Sequence, residues 1–149
     1  MSAPAAGRGV AAPWPRAAFR HWRRDVIRFA DLDTLGHVNN VAYATFLETG
    51  RVGFFVDLGV PVDGADRRWM AVRLELDYRH QLSLPGTVDI GSGVLDLGRT
   101  SVRLAHGIFT GDVCAASGEC VMVMVERSNG RPLSIPDDIR ARLEALRCA

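Results

Sequence analysis

The chain has 149 residues, of which 48% are hydrophobic, and a formal net charge of +1. This length supports one domain with its own core, and the near-neutral charge gives no general reason to expect nucleic-acid binding. No apolar run reaches the roughly 18 residues of a membrane span, and no apolar segment typical of a secretory signal is present. We therefore expect a cytoplasmic protein that binds neither membrane nor nucleic acid.

The basic residues and the thiols give little direct information about function. All 18 basic residues are arginine, which a genome-wide base-composition bias explains more simply than phosphate recognition does. The cysteines are Cys114, Cys120 and Cys148, with no C-x-x-C pair, and the histidines lack metal-ligand spacing, so we predict no metal site. Cys114 and Cys120 are separated by an even number of positions, so in one strand they would share a face.

The first half of the chain predicts a tail, a strand and one long helix. Residues 1–20 are rich in Ala, Gly and Pro, which is typical of a flexible tail before a domain over residues 21–149. An extended pattern follows over residues 22–29. The segment over residues 41–58 is apolar at helical intervals and on most of its other sides. A helix of that kind is usually buried, which predicts a central helix wrapped by other elements.

Four strand candidates follow the helix, and a short helix closes the chain. The strands cover residues 72–79, 88–97, 101–109 and 113–126, with short Gly- or Pro-containing connections. Consecutive strands joined in this way favour antiparallel pairing. Two separate layers would leave the apolar helix exposed, so we predict an α+β fold in which a curved antiparallel sheet wraps around one long helix.

The connection between the first strand and the long helix carries the strongest chemical signal. From Asp31 to Asn40 it reads D-L-D-T-L-G-H-V-N-N. A carboxylate just before a helix can act as a base or a nucleophile, and the free N–H groups of the first helical turn can hold developing negative charge. Asn39 and Asn40 are also favourable helix caps. This arrangement predicts an active site at the start of the helix.

This run, continued by Tyr43 and by Glu48 and Arg51 in the helix, resembles the active-site segment of a known family. The family is the hotdog-fold acyl-CoA thioesterases of the 4-hydroxybenzoyl-CoA thioesterase-like group. The resemblance extends from about residue 22 to residue 146, although only the stretch over residues 31–43 is specific. The family often has a proline after the second strand, where this chain has His80-Gln81-Leu82, so details of the rim differ.

The resemblance implies an enzyme that hydrolyses an acyl-CoA thioester to a free acid and coenzyme A without a metal or other cofactor. Asp33 would be the nucleophile or the general base, and the backbone N–H near Asn40 would bind the thioester oxygen. Gly36 and His37 belong to the same catalytic loop, and we interpret His37 chiefly as a residue that shapes it. The family usually forms a homodimer or homotetramer with sites between subunits.

Five residues are candidates for contact with the substrate. Tyr43 would contribute to the acyl pocket, and Glu48 is either a second acid or, as we favour, the ion-pair partner of Arg51. The candidates for contact with the phosphates of coenzyme A are Arg79, His80 and Arg99.

The sequence leaves two other functions open. A non-catalytic hotdog module would bind acyl-CoA or an acyl carrier protein without hydrolysis. A hotdog dehydratase or hydratase usually places a histidine and an acid together, and here only His37 is near Asp33. The acyl chain, and the choice between coenzyme A and acyl carrier protein, are not determined by the sequence.

Overall fold

The structure of the protein is a computed structural model that describes residues 13–149. One five-stranded antiparallel sheet curves around one long helix, which is the predicted hotdog fold. None of the described helices is long and apolar enough to span a membrane. The strands are β1 (His21–Val26), β2 (Arg67–Tyr78), β3 (Thr87–Leu97), β4 (Ser101–Thr110) and β5 (Val113–Glu126), in the order β1-β3-β4-β5-β2, and the helices are α1 (Asn40–Asp57) and α2 (Asp137–Glu144).

Helix α1 is defined at both ends by local signals. Asn39 caps its start, because the side-chain Oδ1 accepts a hydrogen bond from the N–H of Val41 at 2.9 Å. After its end, Gly59 adopts a φ of +67°, a conformation that glycine reaches without strain. The inward side of the helix buries Phe46 and Phe54 completely against the sheet.

The sheet does not surround α1 on every side. The helix packs over β1, β3 and β4, and its residues Val41, Val52 and Val56 are exposed on the opposite side. The prediction of a helix buried all round is therefore wrong for one chain. The side of α1 that faces away from the sheet is also apolar, as the sequence pattern indicated. No described element covers Val41, Val52 and Val56 on that side.

A bulge in β5 separates two residues that the sequence pattern placed on one face. Phe109 pairs with Cys114, whereas Ile108 pairs with Ala116, so β5 has one extra residue at this point. As a result, Cys114 packs beside Phe109 on the outer side of the sheet. Cys120 instead packs in the core beneath α1 with the neighbouring methionines. The prediction of a shared face is wrong, because a bulge reverses the alternation that follows it.

The described part of the predicted tail is packed on the sheet. Residues 1–12 lie outside the described residues. Phe19 is 5% exposed, and its ring fills the hollow above Gly91, where a Cβ atom would lie 2.6 Å from the ring. The guanidinium of Arg16 binds the carboxylate of Asp89 at 2.9 Å. The packed part of the chain therefore begins before residue 20, because an aromatic anchor in the Ala- and Pro-rich stretch docks on the outer face.

Two glycines in α1 give a matched test of helix packing. A Cβ on Gly50 would overlap the fully buried Ile90, whereas a Cβ on Gly53 would meet the Arg23 side chain, which is 38% exposed and pairs with Asp57 at the surface. Alanine improves helix propensity by about 1 kcal/mol, and overpacking costs roughly 1–3 kcal/mol. We expect Gly50→Ala to lower the free energy of unfolding by up to about 2 kcal/mol in urea titrations, and Gly53→Ala to lower it by less than about 0.5 kcal/mol. Equal losses would contradict this packing.

Candidate active site

The loop before α1 is organised by the carboxylate of Asp33. Its Oδ1 accepts hydrogen bonds from the N–H groups of Leu35 at 2.8 Å and His37 at 3.2 Å. The backbone N–H of Asp33 also donates to the carbonyl of His37 at 2.8 Å, and Gly36 turns the chain with a φ of +78°. Among the described residues, nothing hydrogen-bonds to Oδ2 of Asp33. One carboxylate oxygen therefore holds the loop and the other is available to a ligand.

The first turn of α1 leaves one backbone donor unused. The side chain of Asn39 accepts from Val41, and the carbonyl of Asn39 accepts from the N–H of Ala42 at 2.9 Å. Within residues 13–149, the N–H of Asn40 has no acceptor. It lies at the positive end of the helix dipole, where an anionic or polarised oxygen is stabilised. The start of the helix thus presents a single uncommitted N–H group.

A cleft of about 320 Å³ brings these two features together. It contains most of the residues that the sequence predicted for the site. A second cleft, of about 640 Å³, lies against other residues of the loop, including Phe29 and Gly36, and Asp33 borders both clefts. The first cleft is lined by Asp33, His37, Val38, Asn40, Tyr43, Tyr78, Arg79, His80 and Gln81.

Tyr43 fixes one wall of the first cleft. Its hydroxyl donates to the carbonyl of His80 at 3.1 Å and accepts from the N–H of Leu82 at 3.1 Å. The side chain is buried, and this burial raises the pKa of Tyr43 above its usual value. The hydroxyl therefore ties the segment after β2 to the helix, while the residue still lines the cleft as predicted.

Tyr78 is a site residue that sequence reasoning missed. Its hydroxyl donates to the carbonyl of Asn40 at 2.9 Å, and its ring packs edge-on against Tyr43 with centroids 5.2 Å apart. Its place near the end of the strand candidate over residues 72–79 gave no signal that the hydroxyl would reach the start of α1. The contact links the last residue of β2 to the residue that carries the free N–H group.

Arg79 and His80 lie on the rim of the first cleft. The Nε of Arg79 donates to the hydroxyl of Ser117 at 2.7 Å, and its guanidinium lies 3.6 Å from the carboxylate of Asp77. His80 donates its backbone N–H to Ala115 at 3.0 Å and is exposed. Both residues are therefore anchored to the sheet beside the cleft.

Glu48 and Arg99 lie outside this cleft. The Glu48 side chain is 65% exposed and lies 3.8 Å from Arg51, the ion pair that we favoured. Arg99 is in the turn between β3 and β4 and donates to Ser134 at 3.0 Å. That turn contacts β5 at Met124, about 30 Å along the strand from Ala115, at about 3.3 Å per residue. Within one chain, Arg99 does not reach the residues of the cleft.

Asp31 supports the loop through the backbone. Its carboxylate accepts the backbone N–H of Arg28 at 2.7 Å, which closes the short turn before the loop. The residues that the structure describes contain no group of three or more His, Cys, Asp or Glu side chains arranged to hold a metal ion.

The two asparagines at the start of α1 give a second matched test. The side chain of Asn39 caps the helix, whereas no hydrogen bond of the Asn40 side chain is formed with the described residues. Loss of an N-cap typically costs about 1 kcal/mol. We expect Asn39→Ala to lower the free energy of unfolding by about that amount in urea titrations, and Asn40→Ala to change it by less than about 0.5 kcal/mol. A larger loss for Asn40→Ala would mean that its side chain supports the loop.

Comparison with known proteins identifies the family of the chain. The chain is similar to the Pseudomonas aeruginosa protein PA5185, with a TM-score of 0.84 and 31% identity over 92% of this chain and 99% of that one. It is also similar to a Thermus thermophilus thioesterase solved with coenzyme A and zinc, with a TM-score of 0.75 and 34% identity over 86% and 95% of the two chains. The Bacillus subtilis protein YsmA is 24% identical over 86% of this chain and 88% of its own length. The family described as the thioesterase-like superfamily matches residues 27–143, and the chain therefore belongs to it.

Proposed function

We propose that this protein hydrolyses acyl-CoA thioesters, with Asp33 as the nucleophile or general base and the N–H of Asn40 as the oxyanion donor. One observation carries the proposal. A single cleft holds a carboxylate whose Oδ2 is unused and a helix N–H group that has no acceptor among the described residues.

The carboxylate of Asp33 and the N–H of Asn40 would have different roles in acyl transfer. The thioester carbonyl oxygen would accept from the N–H of Asn40, a donor of a kind that is typically worth about 3 kcal/mol of barrier. Oδ2 of Asp33 would attack the carbonyl carbon, or it would take a proton from the water that attacks. The C–S bond then breaks, and coenzyme A leaves as a thiolate that takes up a proton. In the nucleophilic route, water afterwards hydrolyses the mixed anhydride and releases the acid.

The coenzyme A portion of the substrate is proposed on two grounds. The Thermus thermophilus relative was solved with coenzyme A. In this chain, Arg79 and His80 lie on the cleft rim, where they would meet phosphates. Arg99 lies far from the cleft of its own chain. It would therefore contact the phosphates of coenzyme A only in the cleft of another subunit. We also propose a cytoplasmic homodimer or homotetramer, and an acyl carrier protein as a second acyl donor.

A panel of aromatic, short aliphatic and long-chain acyl-CoAs tests the proposal, with release of free thiol as the measurement. We expect turnover of at least one member. A binding module would instead raise the melting temperature with an acyl-CoA and release no thiol, which would contradict hydrolysis. Conversion of an enoyl- or hydroxyacyl-CoA without thiol release would assign the cleft to a hydratase.

A further inference from the structure

The segment before β1 crosses the outer face of the sheet as a strap over residues 13–20. Ala18 and Phe19 are buried, and the guanidinium carbon of Arg16 lies 4.3 Å from the centre of the Trp22 ring. Arg16 also donates to the carbonyl of Gly111 at 3.1 Å. The strap is therefore fixed to the sheet by packing, by a cation–π contact and by a hydrogen bond.

The strap presents one tryptophan, Trp14, between two prolines. The rings of Pro13 and Pro15 restrict the backbone on both sides of it, and Pro15 has a φ of −64°. Trp14 packs against the cluster of Phe19 and Phe109, but it stays partly exposed and borders a hollow of about 100 Å³. An aromatic ring that is already held in place loses little conformational freedom when a ligand stacks on it.

The hollow meets the candidate active site at Arg79. This residue lines both the first cleft and the hollow. From Arg79 the hollow follows β2 back to Glu75, about 13 Å along the strand at about 3.3 Å per residue. A ligand that extends from the cleft past Arg79 therefore reaches Trp14. The other residues that line the hollow are Asp77, Ser117, Gly118 and Glu119.

The polar groups of the hollow suit a neutral ring that donates hydrogen bonds. Three carboxylates border the hollow, and each is paired with an arginine, so their negative charges are offset. The pairs are Asp77 with Arg79 at 3.6 Å, Glu119 with Arg103 at 3.4 Å, and Glu75 with Arg73. Carboxylate oxygens still accept hydrogen bonds, and the amino group of adenine is a donor. An aromatic platform with acceptors beside it is what an adenine base requires.

We infer that Trp14 stacks on the adenine ring of coenzyme A, while Arg79 contacts the phosphates and the pantetheine arm lies in the first cleft. The inference rests on the proposed function and deepens it, because it names the part of the substrate that the outer face binds. An acyl carrier protein presents the pantetheine arm without an adenosine. The hollow therefore favours esters of coenzyme A over esters of a carrier protein.

Calorimetric titration of the full chain with coenzyme A tests the stacking directly. Trp14→Ala should raise the dissociation constant at least about fivefold, because a base loses its aromatic platform. Trp14→Phe keeps a ring and should stay within about threefold of the parent protein. Dephospho-coenzyme A keeps the adenine and lacks the 3′-phosphate, so Trp14→Ala should weaken its binding by the same factor. No binding to the parent protein, equal binding by parent and Trp14→Ala, or a loss confined to coenzyme A would overturn the inference.

Tryptophan fluorescence gives a spectroscopic signature of the same contact. A purine stacked on an indole quenches its emission, so coenzyme A should quench the parent protein. Trp14→Phe should lose this quenching while it still binds coenzyme A. Trp22→Phe is the matched control, because Trp22 packs in the same outer cluster away from the hollow, and it should keep the quenching. Quenching that survives Trp14→Phe, or that disappears only in Trp22→Phe, would contradict stacking on Trp14.

Two substrates separate the adenine contact from the proposed hydrolysis. Trp14→Ala should raise KM for an acyl-CoA at least about fivefold and leave KM for the matching acyl-pantetheine within about twofold of the parent value. An equal rise for both substrates would overturn the adenine contact. If the parent protein hydrolyses neither substrate, the proposed hydrolysis fails. The titrations with coenzyme A would then still decide whether the hollow binds adenine.

Discussion

Asp33→Asn is expected to lower kcat for acyl-CoA hydrolysis about a thousandfold, or roughly 4 kcal/mol of transition-state stabilisation. The amide oxygen can still accept from the N–H groups of Leu35 and His37, so the loop keeps its shape. The amide lacks the negative charge needed to attack a carbonyl or to take a proton from water. Steady-state thiol release gives kcat, and an unchanged melting temperature shows that the fold is intact.

Asp31→Asn is the matched control for this result. Asp31 lies in the same loop and uses its carboxylate to accept the N–H of Arg28, a bond that an amide oxygen can also accept. We expect its kcat to stay within about threefold of the parent protein, less than 1 kcal/mol. If Asp33→Asn keeps near-parental turnover with an intact fold, or if both variants lose activity equally, the assignment of Asp33 is wrong.

Acidification is expected to destabilise the fold through His106. This residue is fully buried beneath α1, and burial, followed by the nearby positive charges of Arg51 and His21, lowers its pKa from 6.5 to about 3. The unfolded chain binds the proton first as pH falls, so stability from this group is present above pH 6.5 and is lost as pH falls toward 3. The loss is about 3 kcal/mol by pH 4, at about 1.4 kcal/mol for each pH unit.

The double variant His106→Leu with Ser92→Ala isolates this contribution. The Nδ1 of His106 contacts the hydroxyl of Ser92 at 2.9 Å, so replacing both partners leaves neither polar group unpaired. Urea titrations between pH 4 and pH 8 should show a flatter pH dependence than in the parent protein. His80→Gln, which alters an exposed histidine, should keep the parental slope. A double variant with the parental slope would show that His106 does not titrate in this way.

The sequence predicted the fold well because its periodicities are simple. The apolar residues of the 41–58 segment indicated one long helix, and the consecutive strand candidates with short connections indicated the antiparallel sheet. The bulges in β2 and β5 were not predicted, because one inserted residue does not noticeably change the composition of a strand. The docking of Phe19 also escaped, because it depends on a hollow formed by a strand far along the chain.

The sequence predicted which candidate residues lie together where they are neighbours along the chain, and not where they are distant. Asp33, His37 and Asn40 lie within one short segment, so their spacing alone predicted that they lie near one another. Tyr78 and Arg99 depend on how distant strands are arranged. Tyr78 reaches the helix start from an edge strand, whereas Arg99, a candidate for contact with the phosphates of coenzyme A, lies at the far end of the sheet.

The hydroxyl of Tyr43 has a consequence for how substrate range can diverge. Because it bonds to the backbone at His80 and Leu82, the path of this segment is set by main-chain groups. The side chains of His80 and Gln81 can therefore be exchanged without changing the path of the backbone beside the cleft. Evolution, or a designer, can vary the chemistry of the entrance at these two positions while the reacting groups at the helix start keep their geometry.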